Sequence, residues 1–289
     1  MRAGFVTAVE LGRACIEEIH AAGGSLALAV TLRDEQAAAK SGRVLLDDLC
    51  ARHGTPLLKV RNINDPEAVA ALGEAGLDWL LIVGWSQIAR PEVLATATQG
   101  VLGIHPTLLP EGRGRAPIPW AIIKGLTRTG VTLFRLDAGV DSGPIAGQVE
   151  IAMAPRETAT TLYEKVAVGH RRLIRDCWPR LTAGTLEFRP QDDSRASYWP
   201  GRKPEDGRID PAGRAADAER LVRAVTRPYP GAFLDHAGVR YRLWSARLGS
   251  ATGAPPGPMV VGDTLRIGFP DGALLSTDWE STTMPKGHE

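Results

Sequence analysis

The chain is short of cysteine, of charge of one sign and of long apolar runs, and each shortage removes a class of protein. Only three cysteines occur in 289 residues, Cys15, Cys50 and Cys177, widely spaced and without a Cys-x-x-Cys pair. Neither a disulfide framework nor a zinc site can be read from them, so reduced core or surface thiols are expected. The 34 basic side chains stand against 33 acidic ones, a formal net charge of +1. That balance offers no broad attraction to phosphate backbones and disfavours a large RNA partner. No stretch approaches the ~18 apolar residues of a membrane span, and the chain turns polar soon after Val6, unlike a secretory leader. No membrane association is expected, and the cytoplasm is the expected location.

What is present is ordinary globular material, 44% apolar and 23% charged residues, enough for one large domain and one small one. Phe5–Val9 is a short apolar start, Leu11–Ala21 has helical spacing and Ser25–Leu32 is rich in β-formers. The alternation continues with a helical Val44–His53, an extended Pro56–Val60, a helical Asp65–Ala75 and a continuous apolar strand, Trp79–Val83, closed by Gly84. Such alternation predicts an α/β fold, a Rossmann-like, mostly parallel sheet with helices on both faces. Val131–Leu136 and Ile145–Ile151 read as strands around the turn Asp137–Gly143, and a long helix is expected over Thr160–Leu181. Arg189–Pro211 is rich in Pro, Gly, Asp and Arg and lacks apolar periodicity, which marks a junction. The predicted organisation is a main domain over 1–190, a linker over 191–210 and a C-terminal domain over 211–289. In the last, a short helix at Ala216–Thr226 precedes brief strands of a small OB-like β-barrel.

Ligands of such sheets gather at the carboxyl ends of the strands, which directs attention to the segments after Val83 and Leu102. The second carries His105 beside Pro106, in a loop with two further prolines and the run Gly112-Arg113-Gly114-Arg115. Taken alone, a loop histidine is most often a polar surface residue, and Asp141, in an Asp-Ser-Gly turn, is ordinary turn chemistry. Both follow consecutive sheet elements, however, which is how an acid and a base from distant positions usually meet. A dinucleotide-binding oxidoreductase would need Gly-x-Gly-x-x-Gly after the first strand. The residues after Val6 are Thr-Ala-Val-Glu-Leu-Gly, which removes that reading.

His105 to Pro117 and Gly130 to Gly143 resemble the signature segments of the formyltetrahydrofolate-dependent formyltransferases, whose members act on methionyl-tRNA, glycinamide ribonucleotide or amino sugars. Pro117-Ile118-Pro119-Trp120, Lys124-Gly125 and Thr129-Gly130-Val131-Thr132 follow in the family's order. Gly201–Gly207 and Arg227–Phe233 are similar to the amino-sugar branch, so the resemblance covers nearly the whole chain. It implies 10-formyltetrahydrofolate as formyl donor, no metal, and a primary amine of a small molecule as acceptor. It also implies His105 as the proton-handling or oxyanion-stabilising residue and Asp141 as the group that orients it or helps deprotonate the amine. The folate would lie along Trp85, Gln87 and Ile88, with Val140 and Asp141 closing the other side. For Trp85, simple core packing is the competing reading.

One position departs from the family pattern. The Asn two residues before the histidine is Gly103 here, so a side-chain donor to the developing oxyanion is missing. Loss of one such donor elsewhere costs ~100- to 1000-fold in turnover, which leaves open a binding protein for folate or a sugar nucleotide that does not turn over. As to the acceptor, Arg33–Arg43 is short and of mixed charge where tRNA-specific relatives carry a basic insertion. Together with an uncharged tip at Gly249–Gly257 this disfavours tRNA. Arg113, Arg115 and Lys124, with Thr107, are the expected substrate contacts, the basic groups suiting the diphosphate of a nucleotide-linked amino sugar. The same Gly-Arg-Gly run also reads as a device that only fixes the loop. Hydroxyornithine and peptidyl amines stay open as acceptors, and because relatives are often dimers a homodimer is among the expectations.

Overall fold

The computed structural model describes residues 1–39, 42–250 and 257–284. Its elements run β1 (Ala3–Val6), α1 (Glu10–Ala21), β2 (Leu28–Leu32), α2 (Asp47–His53), β3 (Leu57–Val60), α3 (Pro66–Glu74), β4 (Leu77–Val83), α4 (Pro91–Leu94), β5 (Ala97–His105), β6 (Arg113–Gly114), α5 (Pro117–Ile123), β7 (Arg128–Arg135), β8 (Ile145–Ala152), α6 (Ala159–Thr182), β9 (Tyr198–Trp199) and α7 (Ala215–Val225). Seven further strands follow, β10 (Ala232–His236), β11 (Val239–Leu243), β12 (Arg247–Gly249), β13 (Gly257–Val261), β14 (Thr264–Phe269), β15 (Gly272–Ser276) and β16 (Trp279–Thr283).

The chain folds as two units, the first comprising residues 1–114, 128–152 and 164–199, the second 115–127, 153–163 and 200–289. The first contains a seven-stranded sheet of order β3-β2-β1-β4-β5-β7-β8. β1 through β5 run parallel, and β7 and β8 are antiparallel to their neighbours. The strands between β2 and β5 are buried on both faces, so β1 is apolar throughout and β4 is interrupted only by Asp78. Strand order reverses between β1 and β4, so the crevice at the carboxyl ends of the neighbouring strands is where such sheets receive ligands. Gln191 and the residues up to Trp199, which composition alone places in a linker, belong to this first unit.

The second unit holds α5, α7 and β10–β16, the last arranged as antiparallel sheets of three and four strands. The antiparallel strand region expected at the C-terminus is therefore present. α7 turns a buried face inward, and Glu219 on that face is neutralised by Arg156 at 3.0 Å and Arg223 at 3.0 Å. α5 is a helix that apolar spacing did not reveal, because seven residues beginning Pro-Ile-Pro are too few for a helical period to register. Of the Gly249–Gly257 tip, residues 251–256 lie outside the described residues. Among the described residues, no helix is long and apolar enough to cross a membrane. The three cysteines are free and buried.

The first helix approaches the first strand's end so closely that only glycine fits where they touch. A Cβ on Gly12 would stand 1.9 Å from Thr7 Oγ1, and Thr7 is itself fully buried. Gly12→Ala is expected to lower stability by about 1–3 kcal/mol through overpacking, although alanine is the better helix former. Urea unfolding of the two proteins measures the difference.

Candidate active site

His105 is the last residue of β5, where it pairs with Thr132 of β7, and it is 7% exposed. The following segment turns back under the ring. Its Gly112 carbonyl lies 2.8 Å from His105 Nε2. A carbonyl only accepts, so Nε2 carries a proton and Nδ1 is the nitrogen left to gain or lose one. Nδ1 faces Asp141 Oδ2 at 3.5 Å. The same carboxylate oxygen accepts the Gly114 N–H at 2.8 Å, so one oxygen is shared between backbone and imidazole. Asp141 adopts φ +52° in the turn between β7 and β8, a left-handed conformation that Asp tolerates better than most residues.

The loop carrying Gly112 is constrained from several sides. A Cβ on Gly112 (φ +74°) would lie 2.8 Å from the Trp199 ring and 2.9 Å from Thr107 Cγ2. One on Gly114 (φ +108°) would lie 2.4 Å from the Trp199 carbonyl oxygen, its partner in the β6–β9 pairing. The Gly112 N–H donates to Ser197 Oγ at 2.9 Å. Below the loop, Thr132 donates its hydroxyl to the Thr107 carbonyl at 2.7 Å and accepts from the Leu109 N–H at 3.2 Å. Gln148 of β8 adds bonds to the Leu109 carbonyl and to Thr132 Oγ1. A backbone with so many partners has little freedom to move His105.

The expected site residues fall into distinct settings. His105 and Asp141 are brought together. Thr107 is buried with no partner for its hydroxyl among the described residues. Arg113 is 2% exposed and its guanidinium is engaged by Gln191 Oε1, Asp193 and Tyr198, so the buried cation secures the loop it belongs to. Arg115 and Lys124 lie exposed in the second unit, where Lys124 stands 5.8 Å from the Trp120 ring centre. Trp85 is half-buried against the core and donates its indole N–H to Gln87 at 3.2 Å. Gln87 in turn bridges to the Ile63 N–H and the Arg61 carbonyl, tying the loop after β4 to the loop after β3. Ile88 and Val140 are apolar and exposed, at 77% and 49%. Among the described residues no group of three or more His, Cys, Asp or Glu side chains is placed to hold a metal ion.

Gly103 does not open room beside His105. A Cβ there would meet Leu136 Cδ2 at 2.8 Å and the Phe134 ring at 3.3 Å, because those two side chains fill the face of β5 on which residues 103 and 105 both lie. Sequence reasoning missed Gln191, Ser197 and His170. The first two lie in a stretch whose composition resembles a linker, and His170 is one polar position in an amphipathic helix. His170 is 1% exposed on α6 and donates Nδ1–H to the Val166 carbonyl at 2.8 Å. Burial pushes its imidazole down to about 4, and the charge of His105 pushes in the same direction.

Two outcomes follow from this packing. Gly103→Asn is expected to destabilise the fold by about 1–3 kcal/mol through overpacking, with part of the loss recovered when Leu136→Ala is added; thermal unfolding of the single and double variants tests the coupling. For His170 the unfolded chain gains a proton below about 6.5, which the folded protein cannot take up until about 4. Stability is therefore lost as pH falls through that window, by about 3 kcal/mol in total. Unfolding free energies measured from pH 7 to 4 should show that loss in the wild type and not in His170→Gln; equal slopes would contradict the assignment.

Residues 19–176 match the family described as Formyl transferase, and residues 202–281 match its Formyl transferase, C-terminal domain. The fold is shared with HypX from Aquifex aeolicus in complex with tetrahydrofolic acid (TM-score 0.69, 19% identity), of which the chain spans about half, 46%, while 99% of this chain is covered. It is shared also with methionyl-tRNA formyltransferase from Clostridium thermocellum (TM-score 0.63, 18% identity, 98% of this chain and 99% of that one). A third is the N-formyltransferase from Helicobacter canadensis in complex with folinic acid and dTDP-3-aminofucose (TM-score 0.68, 14% identity, 96% and 99% covered). With the first match covering more than half of its length and the second most of the remainder, the chain belongs to the formyl transferase family.

Proposed function

We propose that the protein moves a formyl group from 10-formyltetrahydrofolate to a primary amine of a small molecule, with a nucleotide-linked amino sugar as the acceptor. The observation that carries the reading is the His105–Asp141 pair, held by a backbone carbonyl and a backbone N–H at the carboxyl end of the sheet. The amine nitrogen attacks the formyl carbon and an oxyanion forms. The bond from that carbon to N10 of the folate then breaks, leaving a formamide and tetrahydrofolate. One proton leaves the amine and one reaches N10. With Nε2 tied to Gly112, His105 Nδ1 is the atom that takes the first proton and hands it on, and the Asp141 carboxylate stabilises the imidazolium between the two transfers. The 3.5 Å separation is of the kind that tightens when substrate is bound.

Tetrahydrofolic acid and folinic acid in the two relatives support a folate donor, and dTDP-3-aminofucose in the second supports an amino-sugar acceptor. The exposed apolar Ile88 and Val140, with Trp85, are the walls proposed for the pterin. Arg115 and Lys124 are the cations proposed for the acceptor's diphosphate, a fork and a point charge free of the buried network that occupies Arg113. In this reading tRNA is disfavoured as the acceptor and no membrane takes part. A cytoplasmic setting suits the three free thiols, and a homodimer is compatible with it. One observation favours a second reading, in which folate is bound without turnover: Leu136 and Phe134 close the place from which a side-chain amide would reach the oxyanion.

A spectrophotometric assay of tetrahydrofolate release, run against nucleotide-linked amino sugars, hydroxyornithine and charged initiator tRNA, separates these readings. Acceptor-dependent release is expected with an amino sugar. Folate binding without release for any amine would select the second reading. His105→Ala and Asp141→Asn should each lower turnover by about 100- to 10,000-fold while folate affinity stays nearly the same. Wild-type rates in either variant would remove that residue from the mechanism.

A further inference from the structure

The segment joining α6 to β9 reaches the turn that carries Asp141 through Gln191. Gln191 donates both of its amide hydrogens into the turn that carries Asp141, to the Asp141 carbonyl at 2.8 Å and to the Gly143 carbonyl at 2.7 Å. Its own carbonyl oxygen accepts from Arg113 Nε at 3.1 Å and Nη2 at 2.8 Å. The guanidinium is fixed in turn by Asp193 at 2.7 Å and by the Tyr198 hydroxyl at 3.0 Å. An amide's two ends are not interchangeable here. The buried cation can only donate, so it demands the oxygen, and the two turn carbonyls can only accept, so they demand the nitrogen.

We infer that Gln191 is a positioning residue, which holds the left-handed Asp141 turn so that its carboxylate meets both the Gly114 N–H and His105 Nδ1. The inference rests on the reading of His105 and Asp141 as the reacting pair. Asp141 stands at φ +52°, a conformation that costs energy outside glycine and persists only where surroundings impose it. The bonds within the turn itself, from the Gly139 N–H and the Ser142 hydroxyl, converge on Asp137 and leave the Asp141–Gly143 end to Gln191. Arg113 belongs to the same device. It emanates from the loop that holds His105, so Arg113 and Gln191 couple the two halves of the pair behind the site as Gly114 couples them in front.

Two substitutions distinguish positioning from support of the fold. Gln191→Glu retains an oxygen for Arg113 but places a carboxylate against two carbonyls. Gln191→Leu removes both functions and adds no charge. In both, kcat is expected to fall by about tenfold or more, towards the ~100-fold that a displacement near 1 Å can cost, with KM for the folate nearly unchanged. In an Asp141→Asn background neither should cause a further loss, since residues acting through one group are non-additive. A second readout needs no turnover: hydrogen exchange at the Gly114 amide, which Asp141 Oδ2 protects. Gln191→Leu is expected to accelerate it towards the rate in Asp141→Ala, and by more than the accompanying fall in unfolding free energy accelerates the β1 and β4 amides. Wild-type protection of Gly114 in Gln191→Leu would overturn the inference whether or not formyl transfer is detected. So would a full additional loss in the Asp141→Asn background. Failure of every acceptor in the release assay, with Gly114 exchange behaving as expected, would instead count against the proposed reaction and leave the positioning intact.

Discussion

The bond between His105 Nε2 and the Gly112 carbonyl is the interaction on which the geometry of the candidate site depends. It assigns the proton of a neutral imidazole to one nitrogen and presents the other to Asp141. That assignment requires the chain to come back beneath the ring within seven residues, and the return is possible because residues 112 and 114 are glycines with left-handed or still more unusual backbone angles. The neighbours are too close for anything larger, with the Trp199 ring on one glycine and the Trp199 carbonyl on the other. The Gly-Arg-Gly run is therefore a steric and electrostatic unit. Its glycines let the loop approach β9, and its buried arginine fastens the loop to the segment that follows α6.

The charges of the first unit are arranged by the same logic. A buried guanidinium costs energy unless its donors are met, and Arg113 meets Gln191, Asp193 and Tyr198 from one stretch of chain. His170 solves its burial in the opposite way, by staying neutral.

Gly103 shows how a family position can change without leaving a void. The face of β5 that carries residue 103 is covered by Phe134 and Leu136, so the missing amide is replaced by apolar packing and not by water or open space. In the proposed reaction, stabilisation of the oxyanion then has to come from groups other than a side chain at 103. His105 has only Nδ1 to contribute, because its other nitrogen is already committed.

The alternation of short apolar runs with helical spacing was enough to specify the α/β class, the long α6 and the strand pair around Asp137–Gly143, because periodicity and turn residues are local properties. The same local reading singled out His105 and Asp141, and the motif order named the family. It could not see α5, whose seven residues are shorter than two helical turns, nor assign Gln191 and Ser197, which sit in a Pro- and Gly-rich stretch with no periodic signal. Arg113 was read as a substrate contact, with fixing of the loop as the competing reading, and its burial was not legible. Burial and hydrogen-bond partners depend on residues some 80 positions away, and only the folded chain brings these together. Sequence alone thus determined the kind of sheet and the family and pointed to His105 and Asp141, while the tertiary structure decided which nitrogen of His105 faces Asp141, what fills the space at Gly103 and what holds Asp141 in its turn. Those are questions of distance and direction between remote segments, which no local pattern encodes.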